Sequence, residues 1–65
     1  MQLKLREIRE SKHMTQMELA EKLGVSQSFI VRGERGTKAL PLSMAYEISQ
    51  VLKCTVDEII KGKHN

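Results

Sequence analysis

The sequence predicts an all-α domain built from five short helices. Apolar residues recur at spacings of three and four, the pattern of one buried helix face, and no segment shows the alternation typical of a strand. Markers of helix starts and stops follow one another closely along the 65 residues. We therefore expect a single domain over residues 1–65, with its core at about 3–61 and a short tail at 62–65.

The first helix is predicted from the apolar spacing at the start of the chain. Met1, Leu5 and Ile8 fall on one helical face, so that face is expected to be buried. The pattern stops near Lys12, where we place the end of the helix. This segment lacks the apolar core of a secretory signal and carries acidic residues, so it is interpreted as part of the fold.

The second helix has the clearest boundaries in the chain. Thr15 and Glu18 form a T-x-x-E capping box, in which each side chain satisfies a backbone N–H group left open at a helix start. Met14 and Leu19 flank the box at the positions of a hydrophobic staple. Gly24 is expected to end the helix, because glycine adopts the left-handed closing conformation at little cost.

The third helix begins almost immediately after the second. Ser26 can cap it, and Val25 with Ile30 repeats the staple spacing, so the helix is predicted at Gln27 to about Arg35. Gly36 closes it. Two short helices joined by so few residues must cross steeply, as in a helix-turn-helix unit.

The last two helices are predicted from the same kinds of signal. The fourth, at about Leu42–Leu52, has an apolar face at helical spacing. The fifth begins at a second T-x-x-E box with its own staple pair and ends before Gly62. The residues that carry these signals are Ala45, Ile48, Val51 and Leu52 in the fourth helix, and Cys54, Thr55, Glu58 and Ile59 in the fifth.

Positive charge is concentrated in the first part of the chain. The net charge is +3, and residues 1–40 hold eight Lys and Arg against five Glu, whereas residues 41–65 hold three Lys against three acidic residues. A small domain with such an excess often binds a polyanion, although a merely solvated surface explains the same distribution.

The composition disfavours several classes of function. A single cysteine cannot form an internal disulfide, which is typical of the cytoplasm, and no apolar run approaches a membrane span. There are no paired catalytic carboxylates on one face and no glycine-rich phosphate loop, and His13 and His64 are far apart. We therefore expect no enzyme activity, no cofactor and no metal site.

The order of the motifs resembles a known family. The segment TQMELAEKLGVSQSFI is followed by an ERG that closes the third helix and by LSMAYEISQVLKCTVDEI. Together they resemble the phage-repressor and Cro type of helix-turn-helix DNA-binding domain, in the bacterial subfamily of xenobiotic-response-element-like regulators, over Leu3 to about Ile60. The resemblance implies a compact five-helix, lambda-repressor-like fold in which helix three enters the DNA major groove.

The resemblance also implies which residues contact the bases. Gln27 and Ser28 stand near the N-terminus of the recognition helix, with Phe29 and Arg32 further along. Gln27 can bond adenine in two places, Arg32 can fork onto guanine, and Phe29 can contact a thymine methyl. The alternatives are ordinary solvated positions for Gln27, Ser28 and Arg32 and partial burial for Phe29.

A second set of residues is expected to contact phosphates, which position the protein without reading sequence. By correspondence with the family, Gln16 is the expected anchor, through its side chain and the open N–H groups at the start of helix two. Ser26, Arg35 and Lys38 follow at the other end of the motif, and Thr37 can add a hydroxyl or amide. A solvated charged face explains Arg35 and Lys38 equally well.

Three residues are expected to be structural. Family members often join the arginine of helix one to the glutamate near the end of helix three, which are Arg9 and Glu34 in this chain. We expect a partly buried ion pair between them, which is costly to break from one side. Cys54 occupies a staple position and is expected to be a small buried apolar residue rather than a reactive thiol.

The chain departs from the family at two nearby positions. Gly33 stands where the family usually has a large inward-facing residue, and glycine costs about 1 kcal/mol of helix propensity relative to alanine. Before helix four the family often reads N-P-S-L, whereas this chain reads ALPL, so Leu40 takes the place of the proline. We expect Leu40, or a turned-in Phe29 or Tyr46, to fill the space beside Gly33. The alternative is a frayed helix three that becomes ordered on DNA.

The expected function is a sequence-specific regulator of transcription that binds double-stranded DNA. We expect a repressor that binds a palindromic operator as a homodimer, with a protein partner as a further possibility. The alternative is a protein-interaction module that keeps the helix-turn-helix shape, such as an antitoxin or an accessory regulator. A DNA binder loses affinity steeply with added salt, whereas such a module does not bind duplex DNA at all.

Overall fold

Five helices and no strand are present in the computed structural model, which describes residues 4–36 and 40–61. The predicted all-α, five-helix fold is confirmed, while Met1 and the tail lie outside the described residues. None of the five helices has the length and apolar character of a membrane span. In chain order they are α1 Leu5–Ser11, α2 Gln16–Leu23, α3 Gln27–Arg35, α4 Leu42–Leu52 and α5 Val56–Lys61.

Every helix contributes at least one fully buried apolar side chain to a single core. Helices of this length are not stable alone in water, so shared burial holds them together, at about 1.5–3 kcal/mol for each buried side chain. Ile8 and Val51, which the spacing predicts to be inside, are half-buried and pack against the core from its edge, as does Leu23 at the end of α2. The fully buried side chains are Leu5, Leu19, Ile30, Ile48, Leu52 and Ile59.

The ends of α2 are formed by the residues predicted for them. Thr15 Oγ1 accepts a hydrogen bond from the Glu18 N–H at 3.0 Å, and Glu18 Oε1 accepts one from the Thr15 N–H at 2.8 Å, which completes the capping box. At the other end Gly24 has a φ of 72°, in the left-handed region. The Val25 N–H then donates to the Ala20 carbonyl at 3.0 Å, which turns the chain toward α3.

The start of α3 follows this turn directly. Ser26 Oγ accepts a hydrogen bond from the Phe29 N–H at 3.1 Å, so Ser26 is the side-chain cap that the sequence predicts. Gly36 closes the helix with a φ of 77°. Because α2 and α3 also pack against each other, residues 15–36 form a helix-turn-helix unit.

The second capping box starts α5. Thr55 Oγ1 accepts a hydrogen bond from the Glu58 N–H at 3.1 Å, and Glu58 Oε1 accepts one from the Thr55 N–H at 3.0 Å. Cys54 is half-buried against the core. Burial raises the pKa of its thiol, the negative charge of Glu58 raises it further, and Lys12 opposes the rise. The thiol therefore stays protonated at neutral pH and packs as a small apolar group.

The helices α1 and α4 end on residues that are less suited to the task. Each is followed by a non-glycine residue in the left-handed conformation, which is His13 just beyond the C-cap of α1, with a φ of 57°, and Lys53 at the C-cap of α4, with a φ of 55°. Neither helix has a side-chain cap at its start. The Lys4 N–H instead donates to the Ile59 carbonyl at 2.9 Å, so the start of α1 is joined to α5 by a tertiary contact.

The space beside Gly33 is occupied from the segment before α4. Gly33 is buried, and a Cβ atom built on it would lie 3.7 Å from Leu40 Cδ1, an ordinary van der Waals contact. The expected compensation by Leu40 is therefore confirmed. Phe29 also packs against the core, whereas Tyr46 is 59% exposed and does not fill the gap. Helix α3 continues past Gly33 to Arg35, so it is not frayed.

Candidate nucleic-acid interface

Helix α3 has one buried side and one polar, exposed side. The buried side contains Ile30, Gly33 and Glu34. On the other side Ser28, Arg32 and Arg35 recur at helical spacing, and all three are exposed together with Gln27 at the start of the helix. The two arginines also lie in the last turn, where positive charge is favoured by the helix dipole. This polar side of α3 is the first part of the candidate interface.

The residues predicted to contact bases differ in how freely they project from α3. Gln27 and Ser28 are exposed in its first turn, and Arg32 is exposed one turn later. Phe29 is half-buried and packs against the core, so only part of its ring faces outward. The geometry therefore favours Gln27, Ser28 and Arg32 over Phe29 as groups that can enter a groove.

The residues predicted to contact phosphates lie at two places. Gln16 is half-buried at the first position of α2, and Arg35 is exposed at the last position of α3. The Ser26 hydroxyl accepts the capping hydrogen bond of α3, which leaves its own hydrogen able to donate. Thr37 and Lys38 lie outside the described residues.

The capping box occupies part of the backbone at the start of α2. As the sequence predicts, the N–H groups of Thr15 and Glu18 are taken by its hydrogen bonds. The hydrogen bond from the Thr15 N–H, together with one from the Thr15 side chain, lowers the pKa of the Glu18 carboxyl, so it is ionised at neutral pH. A carboxylate of the chain thus occupies the positive end of α2, and the expected phosphate contact of the other N–H groups there stays a prediction.

A buried charge network lies behind the start of α2. Arg9 is 6% exposed and Glu34 is 8% exposed, and Arg9 Nε donates to Glu34 Oε2 at 2.5 Å while Arg9 Nη2 donates to Glu34 Oε1 at 3.2 Å. The expected ion pair is therefore present, with the two parallel hydrogen bonds typical of an arginine and a carboxylate. Arg9 Nη1 also donates to the Met14 carbonyl at 2.7 Å, which connects α1 to the segment before α2.

The same network reaches the predicted phosphate anchor. Gln16 Nε2 donates to Glu34 Oε1 at 3.0 Å. Neither composition nor spacing indicates this hydrogen bond, because the two residues are eighteen positions apart in sequence. Over the described residues, every buried side-chain nitrogen or oxygen has a hydrogen-bond partner. The buried polar atoms of this network are therefore satisfied within the protein.

Val31 is a residue of this surface that the sequence reasoning does not single out. It is half-buried and lines an open groove together with Gln16, Glu34 and Arg35. Its position four residues after Gln27 places it on the same side of α3, and this spacing is the signal that could have identified it. The groove continues toward α1, where Arg6 also lines it.

The described part of the chain contains no cluster of His, Cys, Asp and Glu suited to a metal ion. The features that α2 and α3 bring together are neutral amides and hydroxyls beside guanidinium groups. These groups donate hydrogen bonds to phosphate oxygens and to the acceptors on base edges. The chemistry of the surface is therefore that of recognition.

Comparison with known proteins agrees with this geometry. A family model described as helix-turn-helix matches residues 5–59 of the chain. Two HTH-type transcriptional regulators of Archaeoglobus fulgidus, both themselves uncharacterised, are 37% and 36% identical to it over 59 residues. The matched part is 91% of this chain and 84% and 83% of the two relatives.

Solved structures with the same fold include repressors and regulators bound to DNA. The P22 c2 repressor protein in complex with a synthetic operator has a TM-score of 0.80 and 27% identity, over 91% of this chain and 89% of that one. SinR, a master regulator for biofilm formation, in complex with DNA has a TM-score of 0.72 and 32% identity, over 80% and 84%. A complex of SinR with SinI has a TM-score of 0.78 and 31% identity, over 92% of this chain and 59% of that one.

The shared fold thus extends over most of the chain, and the capped turn between α2 and α3 lies inside the matched region. The two regulators are more than 30% identical to the chain, which covers most of their length. They therefore support the same family assignment as the family model. The fold, the turn and these matches have one explanation. The chain belongs to the helix-turn-helix family.

Proposed function

We propose that this protein is a transcriptional regulator that binds double-stranded DNA and reads the major groove with α3. The observation that carries the proposal is the exposed polar side of α3, with Gln27, Ser28 and Arg32 along it. A single helix fits the major groove, where every base pair presents a distinct pattern of donors and acceptors. The similarity to regulators and to repressors solved on DNA supports the same conclusion.

The residues divide into two roles. Gln27 and Ser28 meet base edges first, because they are exposed in the first turn of α3, and Arg32 forks onto a guanine one turn later. Gln16 and Arg35 contact the DNA backbone on either side, and so fix the register of α3 without reading sequence. Thr37, Lys38 and the Ser26 hydroxyl are proposed to add backbone contacts, and Phe29 a partial contact with a thymine methyl.

Selection of bound duplexes from a random pool tests this assignment. The wild type should enrich one sequence, Gln27→Ala and Arg32→Ala should each lose preference at a separate base position, and the control Gln50→Ala on α4 should keep the full preference. Each lost base contact is worth about 1–3 kcal/mol, a factor of roughly 5 to 150 in discrimination. If both variants instead bind DNA more weakly with an unchanged sequence preference, Gln27 and Arg32 contact the DNA backbone and not the bases.

The competing function is a protein-interaction module. This alternative is considered because one similar solved structure is the complex of SinR with the protein SinI. Titration of the selected duplex at increasing salt separates the two functions. A DNA binder should show log K falling linearly with log salt concentration, with a slope of about −0.9 for each phosphate neutralised. Failure to retain any duplex at low salt would contradict the proposed function and favour the module.

We further propose that the protein binds a palindromic operator as a homodimer and represses by occupying it. A lone half-site offers limited discrimination at about 1–3 kcal/mol per base pair. The proposed contact surface is an apolar groove on α4 and α5 that includes Leu42, 71% exposed, Tyr46, 59% exposed, and Val56. Residues 41–65 carry three Lys and three acidic residues, so two copies can pair there without net repulsion, and α3 stays free for DNA.

Sedimentation with and without the palindromic duplex tests the dimer. The wild type should bind as two copies, and Leu42→Glu should bind as one, because a charge buried in an apolar contact is strongly disfavoured. The matched control is Met17→Gln compared with Leu42→Gln, since Met17 is also an exposed apolar residue, at 54%, but lies on α2, and neither change adds a charge beside the proposed DNA contact of Gln16. A strict monomer of the wild type both free and on DNA would contradict the homodimer.

A further inference from the structure

We infer that Glu34 is a positioning residue for the DNA backbone contact of Gln16, an inference that rests on the proposed function. The starting observation is the 3.0 Å hydrogen bond from Gln16 Nε2 to Glu34 Oε1. Glu34 is only 8% exposed and lies on the buried side of α3, whereas Gln16 is half-buried at the first position of α2. Gln16, at the proposed DNA surface, is therefore held by a hydrogen bond to Glu34 in the interior.

The chemistry of the carboxylate determines which way the Gln16 amide faces. An ionised carboxylate only accepts hydrogen bonds, so the amide must present its NH₂ group to Glu34 and not its carbonyl oxygen. The amide nitrogen has two hydrogens, and the second can donate to a phosphate oxygen while the first is bonded to Glu34. A flipped amide would set its oxygen against the carboxylate and could not donate to the phosphate at the same point.

Arg9 offsets the electrostatic repulsion that the Glu34 carboxylate would otherwise exert on a nearby DNA phosphate. Its guanidinium forms two hydrogen bonds with Glu34, at 2.5 Å and 3.2 Å, and so neutralises the charge that would otherwise repel a phosphate. Arg9 also donates to the Met14 carbonyl at 2.7 Å, just before α2 begins. The network thus joins Gln16 to α3 through the interior, and the backbone contact and the recognition helix move as one unit.

Two double variants separate this positioning role from the structural role of the ion pair. Arg9→Met with Glu34→Gln removes the ion pair but keeps an acceptor at position 34, and Arg9→Met with Glu34→Met removes both. Replacement of a buried ion pair by neutral or apolar residues of similar size is often tolerated, so the two proteins are expected to fold. They differ in whether residue 34 can accept a hydrogen bond from Gln16, and any other effect of the exchanged side chain is independent of Gln16.

The readout is affinity for the duplex selected by the wild type, measured with and without Gln16→Ala. The variant with Met at position 34 should bind about two- to tenfold more weakly than the variant with Gln there, the worth of one hydrogen bond. In the Gln16→Ala background that difference should disappear, because the residue through which Glu34 acts is gone. A purely structural effect of position 34 would persist in both backgrounds.

Side-chain amide dynamics of the wild type without DNA give a second test that needs no variant. Nitrogen-15 relaxation should show the Gln16 NH₂ group to be more ordered than that of the exposed Gln50. Equal mobility of the two amides, or equal affinity of the two double variants for the duplex, would overturn the inference while the proposed function stands. Failure of the wild type to retain any duplex would overturn both.

Discussion

The helix-turn-helix unit, residues 15–36, differs from α1 and α4 in the residues that form its helix boundaries. Within the unit Thr15 and Ser26 accept hydrogen bonds from backbone N–H groups at the two helix starts. Gly24 and Gly36 occupy the left-handed positions at the two helix ends. Each boundary is therefore formed by a residue whose own chemistry favours it.

Outside the unit, the boundaries of α1 and α4 are formed by residues that do not favour them. Their starts have no side-chain cap, and His13 and Lys53 adopt a left-handed conformation that costs L-residues about 1–2 kcal/mol. The start of α1 is joined to α5 through the hydrogen bond from Lys4 to Ile59. The comparison teaches that the unit proposed to contact DNA is locally encoded, whereas α1 and α4 depend on packing.

The largest expected effect comes from breaking the link between the two regions. Arg9→Ala should lower the free energy of unfolding by about 3–5 kcal/mol, because it leaves the buried Glu34 carboxylate without its charge partner. Arg6→Ala is the control, since the Arg6–Glu10 pair is exposed and worth about 0–1 kcal/mol. Urea denaturation measures both, and similar losses for the two variants would mean that the buried pair is not the main link.

A smaller effect is expected at the start of the unit. Thr15→Ala should cost about 1 kcal/mol in urea denaturation, because the Glu18 N–H loses its acceptor. Ser43→Ala changes a hydroxyl residue in the first turn of α4 that makes no cap, and it should cost much less. Equal losses would show that α2 is held by packing as much as α4 is.

Substitutions at Gly33 are expected to change the free energy of unfolding in opposite directions, depending on the size of the new side chain. Gly33→Ala should raise the free energy of unfolding by about 1 kcal/mol, because alanine favours the helix and its methyl group meets Leu40 at ordinary contact distance. Gly33→Leu should instead lower it by about 1–3 kcal/mol through overpacking. Adding Leu40→Ala to that variant should recover part of the loss, and a loss unrelieved by that change would place the steric conflict elsewhere.

A smaller gain is expected at the ends of α1 and α4. His13→Gly and Lys53→Gly should each stabilise the fold by about 0.5 kcal/mol, because relief of the left-handed strain slightly exceeds the entropy that glycine loses on folding. Gly24→Ala, in the unit, should destabilise it by about 1 kcal/mol. Thermal unfolding of the three variants measures the effect, and destabilisation by the two glycine substitutions would remove the claimed difference between the regions.

The smallest effect is a dependence on pH at the start of α2. The pKa of Glu18 is lowered from its ordinary value of 4.5 by hydrogen bonds from Thr15. Its contribution to stability is therefore fully present above pH 4.5 and is lost as the pH falls through the lower folded-state pKa. Glu18→Gln keeps an acceptor for the capping box but does not titrate, so the stability difference between it and the wild type should shrink with acidification. A constant difference would contradict this role.

Most of the fold was predictable because its signals are short. Capping boxes at Thr15 and Thr55 and left-handed glycines at Gly24 and Gly36 act within one helical turn, so the residues that carry them are neighbours in sequence. The compensation at Gly33 could be predicted only as a choice among candidates, because the direction of Leu40 depends on how α4 packs.

The candidate site was predictable to a lesser degree. The exposed side of α3 follows from its periodicity, and the ion pair between Arg9 and Glu34 was expected only through the family resemblance. The capping box near Gln16 and the position of Val31 on α3 both follow from spacing within a helix. The hydrogen bond from Gln16 to Glu34 does not, because it depends on how α2 packs against α3.

Local chemistry along the chain settled where α2, α3 and α5 begin, where α2 and α3 end and which side of α3 is polar, because those properties depend on side chains within a few positions of each other. The assembled fold alone settled that Gln16 is bonded to Glu34, that Arg9 reaches both Glu34 and the Met14 carbonyl, and that Leu40 lies beside Gly33. Those contacts join segments distant in sequence, and such segments meet only when the whole core is formed.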